Sequence, residues 1–113
     1  MATPQITQDP LYILLREEKI DAFNQARAEG KTCSLTGCDF RGLDLRELNV
    51  DGLDLSSSYF RGTDLRGLDF RKSNLEGASL ATANISGCYF PNELSADEIV
   101  MSVQHGTRLR YGS

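Results

Sequence analysis

The sequence predicts an all-β fold: a small β-solenoid of about three coils over residues 33–92, with helical segments at both ends. Three observations predict it. In blocks of five from Cys33, the third residue is Leu, Phe, Val or Ile in all twelve blocks, from Leu35 to Phe90. The fifth residue is Gly in seven of them. The segment FRGLDLREL (residues 40–48) returns as FRGTDLRGL (residues 60–68), identical at seven of nine positions and 20 residues on. A period of five matches neither the helical nor the strand repeat by itself.

Each block reads as one short side and one bend. Positions one and three are two residues apart, so in extended backbone both face the core. Position two points outward; it is Asp or Asn in eight blocks and Tyr in two. Positions four and five form a corner, where Gly accepts the required dihedrals. With about a right angle per bend, four blocks close a coil of 20 residues, and twelve blocks give three coils. At roughly 4.8 Å per coil the body is about 14 Å tall.

The ends of such a stack expose core and unpaired edges, and the flanks are suited to cover them. The expected organisation is an N-terminal helical cap (residues 1–32), the repeats (33–92), and a C-terminal helix and tail (93–113). Asp9-Pro10 is a helix start. A helix is expected from about Pro10 to Glu29, with Glu18-Lys19 the place for a break, and Gly30 stops it. At the other end, Ser95-Ala96-Asp97-Glu98 is a capping box, and Leu94 with Ile99 fits a hydrophobic staple. That helix should run from about Ala96 to His105. Its apolar residues Ile99, Val100 and Val103 either plug the last coil or make a two-fold contact with a second copy.

Composition bounds the function. One domain fits in 113 residues, and the net charge of −4 is mildly acidic, which gives no sign of direct nucleic-acid binding. No stretch is long and apolar enough to cross a membrane, and MATPQITQDP is not a secretory leader, so the expected location is cytoplasmic. Cys33, Cys38 and Cys88 occupy the inward first position and read as small hydrophobes. Their spacing and a single histidine, His105, fit neither a zinc site nor a Cys–His nucleophile, so no metal, cofactor or catalytic residue is expected.

The blocks TDLRG, SNLEG and ANISG are close to A(D/N)LXX, and the repeat region resembles the pentapeptide-repeat proteins over about half the chain. The resemblance implies a right-handed quadrilateral β-helix. Leu43, Leu48, Leu53 and Leu68 depart from it, since the family favours Ala or Cys at position one. The segment LLREEKIDAFNQAR is also similar to the flank of some longer members. The resemblance further implies dimerisation through C-terminal ends, and imitation of DNA at DNA gyrase. Residues 33–92 hold eight acids against six bases, well below the charge density of a duplex, which has one charge per roughly 1.7 Å.

The expectation is therefore a non-catalytic interaction or scaffold module with an unidentified protein partner; the alternative is a DNA-mimicking gyrase modulator. The 20-residue echo places Arg41 over Arg61 and Arg46 over Arg66 on two adjacent faces, with Tyr59 beside Arg41 and Arg61. These five form the candidate partner-binding face. Asp39, Asp44 and Asp64 lie two residues before Arg41, Arg46 and Arg66, so mixed-charge ladders compete with that use.

Overall fold

The computed structural model describes residues 3–112; the outermost ends of the predicted flanks, Met1, Ala2 and Ser113, lie outside them. The N-terminal flank forms two helices, α1 (Pro10–Arg16) and α2 (Ile20–Ala28). Asp9 caps α1 by accepting the Leu11 N–H at 2.9 Å, and Glu18 turns the chain between the helices at φ 58°. Leu11, Tyr12 and Leu15 of α1, with Phe23 and Ala26 of α2, are buried. A third helix, α3 (Ala96–His105), starts at Ser95, whose Oγ accepts the Glu98 N–H, and stops at left-handed Gly106. The Glu98 carboxylate does not complete the capping box; it accepts instead from the Arg110 backbone and guanidinium.

The repeats require a correction of fold class. The all-β, right-handed quadrilateral β-helix is not what forms. Among the described residues there is no β-strand and no sheet, and the regular secondary structure is the three helices. Residues 33–92 are successive turns joined by isolated, parallel, single-residue bridges between positions 20 apart, such as Asp39 to Tyr59 and Tyr59 to Ser79. The physical reason lies in the block. Ten of its twelve fifth positions have positive φ, so extended backbone never persists long enough to build a continuous ladder.

Three tiers follow from the bridges: residues 33–52, 53–72 and 73–92. Third- and fifth-position N–H groups donate to the next tier (Phe60 N–H to the Ser79 carbonyl, 2.9 Å), while second-position N–H groups donate to the preceding one (Tyr59 N–H to the Cys38 carbonyl, 3.0 Å). Third-position side chains fill the interior, with Phe40 and Phe60 stacked at 5.2 Å and Tyr12 edge-on to Phe40. First-position hydroxyls also face inward, because each finds a carbonyl: Ser58 donates to Leu35, Thr63 to Phe40 and Ser73 to Val50, all at 2.6 Å. A buried hydroxyl so paired escapes the desolvation penalty.

Position two has a role beyond solubility. All eight Asp and Asn there accept the backbone N–H two residues on, from Asp39 with Arg41 to Asn84 with Ser86. These Asx turns set each corner. At position five, Gly77 is the tightest glycine: a Cβ there would meet the Ser57 Oγ at 3.0 Å, and φ is +78°. Gly37, at φ +64°, has open space. Gly77→Ala should therefore cost about 2–3 kcal/mol and Gly37→Ala about 1–2. Equal losses in urea titrations would refute the crowding argument.

The two ends are covered differently. All four second-position amides of the first tier meet N-terminal acceptors. Ser34 donates to the Asp9 carboxylate, Asp39 to the Gln5 carbonyl, Asp44 to the Glu18 carboxylate and Asn49 to Asn24 Oδ1. On the last tier, Leu75 donates to the Tyr111 hydroxyl, Gly77 to the Leu109 carbonyl, Leu80 to Ser102 Oγ and Thr82 to the Val103 carbonyl. Among the described residues the amides of Ile85, Gly87 and Phe90 meet no acceptor, and the Ile85, Cys88 and Phe90 side chains are only half-buried. The C-terminal cover thus spans half of the tier.

Candidate functional site

Four of the five position-four arginines are already clasped. Arg41, Arg46, Arg66 and Arg71 each make a two-point fork with the aspartate two residues earlier, through Nε and Nη2 at 2.7–2.9 Å. Arg46 also reaches Asp64 in the next tier at 3.4 Å. The same Asp oxygen that sets the corner thus accepts from the guanidinium.

These bonds hold the carboxyls low. Hydrogen bonding from Arg46 brings Asp44 down to about 2, and Arg71 does the same for Asp69, also to about 2. Asp39 and Asp64 are lowered by Arg41 and Arg66 respectively. A carboxyl that is more acidic in the folded state contributes stability above its unfolded value and loses it as pH falls through the folded one. Stability should therefore drop between about pH 4 and about pH 2. Arg71→Gln should move the Asp69 carboxyl titration, followed by NMR, upward towards about 4. An unmoved titration would show that Arg71 is not the cause.

The candidate face divides into two. Arg46 and Arg66 belong to the neutralised ladder. Arg41, Tyr59 and Arg61 line a groove of about 280 Å³ together with Pro4, Ser79, Gly106 and Arg108. Tyr59 is half-buried there, and its hydroxyl accepts from Arg108 Nη2 at 2.6 Å. The Arg108 guanidinium also lies 5.0 Å from the Tyr59 ring centroid and donates to the Gly77 carbonyl. Among the described residues neither Arg61 nor Arg108 has a carboxylate partner. The sequence did not place Arg108 on this face, because it lies 49 residues from Tyr59, in a tail with no repeat to give its register.

On α3, Ile99 and Val103 pack against the core while Val100 is 50% exposed. The sequence reading missed Ser102, which is fully buried between the helix and the last tier. His105 is exposed in the last turn. Burial pushes the Cys38 thiol up to about 11, and raises Cys33 and Cys88 too, so these sulfurs stay protonated at neutral pH. No group of three or more His, Cys, Asp or Glu is arranged to hold a metal among the described residues. No helix there is long and apolar enough to cross a membrane.

Comparison with curated proteins and with solved structures gives no match. The family model described as pentapeptide repeats matches eight copies, over residues 33–62 and 58–92. Those matches span more than half of the chain, and the protein belongs to the pentapeptide-repeat family.

Proposed function

We propose that this repeat protein is a non-catalytic, cytoplasmic protein-interaction module whose partner docks on the Arg41–Tyr59–Arg61–Arg108 groove. The observation that carries this reading is the pair of guanidinium charges, Arg61 and Arg108, which meet no acid among the described residues on a surface where the other position-four arginines are paired. The DNA-mimicking alternative is disfavoured by the same geometry, because Asp39, Asp44, Asp64 and Asp69 are engaged by arginine and present no run of free negative charge. Affinity capture with the full chain tests the reading. The double variant Arg61→Glu/Arg108→Glu should lose the captured protein, and Arg46→Glu/Arg66→Glu should keep it. Retention by the first pair would refute the groove. Purified gyrase should supercoil DNA unchanged in the presence of the protein.

A second reading is favoured by the half-covered C-terminal end. Val100 and Met101 are 50% and 43% exposed on α3, and Ile85 and Phe90 of the last tier remain half-buried. A second copy meeting this end about a two-fold axis would cover them. Sedimentation should show a dimer that Val100→Asp dissociates; a monomer at high concentration ends this reading.

A further inference from the structure

Arg61 is the exception among the position-four arginines. Its block, SYFRG, carries Tyr59 where the blocks of Arg41, Arg46, Arg66 and Arg71 carry aspartate. In those four, the aspartate closes a two-point fork on the guanidinium. Arg61 therefore keeps the register of the motif while lacking its acid.

Its surroundings supply donors rather than a substitute acceptor. The Tyr59 oxygen already accepts from Arg108, and its own O–H has no acceptor among the described residues. Arg41 in the groove is paired with Asp39. Ser79 Oγ donates to the Gly106 carbonyl. The Arg61 guanidinium lies near the carboxyl end of α3, where a Cβ on Gly106 would be 4.0 Å from Nη2. The helix dipole there favours a cation without neutralising it. A donor-rich, partly enclosed groove with two positive charges that meet no acid among the described residues calls for an oxyanion.

We infer that the Arg61 fork takes an aspartate or glutamate carboxylate from an acidic segment of the partner, with the Tyr59 hydroxyl and Arg108 completing the contact. This inference rests on the partner-binding reading of the groove and names the group recognised. The carboxylate is favoured over a phosphate because the same Arg register holds a carboxylate four times elsewhere on this chain.

Calorimetric titration of the full chain with a hexa-aspartate peptide at low salt tests it. Saturable binding is expected, weakened about tenfold by Arg61→Gln. Arg66→Gln removes the same charge from a closed fork and should change affinity by less than about twofold. Tyr59→Asp gives Arg61 its own acid, restores the motif of the other blocks and should abolish binding, with the fold checked by thermal melting. Equal binding by the parent, Arg61→Gln and Tyr59→Asp would overturn the inference. So would tighter binding of a phosphoserine peptide than of hexa-aspartate. Failure of hexa-aspartate while the captured partner still depends on Arg61 and Arg108 would overturn the carboxylate and leave the groove as a docking site. Binding of the peptide with no dependence of the captured partner on Arg61 and Arg108 would overturn the docking reading and, with it, the assignment of the carboxylate to that partner.

Discussion

Replacing Phe60 with alanine should remove about 3–5 kcal/mol of stability, measured by guanidinium denaturation with the slope unchanged. Phe60 is 1% exposed and sits in the middle tier, parallel-stacked on Phe40 at an interplanar angle of 11°. Both loss of burial and loss of the stacked pair contribute. Collapse cannot easily refill the space, because the backbone on either side is fixed by bonds to both neighbouring tiers: Phe60 donates to Ser79 above and Tyr59 to Cys38 below. Total stabilities of about 5–15 kcal/mol are usual for single domains, so this change removes a large share. Phe60→Leu, which places at this site the residue most other blocks use, should cost less than about 1.5 kcal/mol. A loss below about 1 kcal/mol for the alanine variant would mean that the tiers close up around the gap.

The second large effect is expected at Ser102. Its Oγ accepts the Leu80 N–H at 2.9 Å and donates to the Thr107 carbonyl at 2.7 Å. Leu80 and Ser102 are both fully buried, so no water can replace the hydroxyl at the Leu80 amide, while the Thr107 carbonyl lies at a part-buried joint. Ser102→Ala leaves the buried Leu80 amide without a partner and should cost about 1–3 kcal/mol. By comparison Ser95→Ala, which removes an exposed cap, should cost about 1 kcal/mol. Hydrogen exchange locates the effect. The Leu80 amide should lose protection in Ser102→Ala while the Phe60 amide keeps its own. Uniform loss across all three tiers would show that the hydroxyl supports the whole stack rather than its C-terminal joint.

The period and the flanking helices were legible in the sequence, and the class of structure was not. Position three announces itself through size and regularity, so the core from Leu35 to Leu80 followed directly. The inference from alternating positions one, two and three to strands failed because it ignored the corner. Glu47, Ser57 and Thr82 adopt positive φ like the glycines, so the bend is imposed by the block even where no glycine signals it. The outward reading of position two was incomplete for a related reason. Aspartate is soluble in either role, and only the geometry shows the carboxylate accepting the amide two residues on.

The candidate face was legible in part. Stacking Arg41 on Arg61 follows from a 20-residue echo, and the Asp-x-Arg spacing already suggested which arginines would be clasped. What the sequence could not supply was Arg108, because a tail outside the repeat has no register, and the division of five candidates between a neutralised ladder and an open groove. Ser102 was hidden for another reason. One serine between Ile99 and Val103 reads as a break in an apolar stripe, whereas here it is the group that joins helix to tier.

The unequal ends of the stack limit how copies of this chain can assemble. The four second-position amides of the first tier are matched one-to-one by Asp9, Gln5, Glu18 and Asn24, so they offer no edge to another molecule. Head-to-tail stacking needs two complementary ends, and among the described residues only the C-terminal one is left incomplete. Association through that end stops at a pair, and the pathway to an open-ended fibre is closed at its first step.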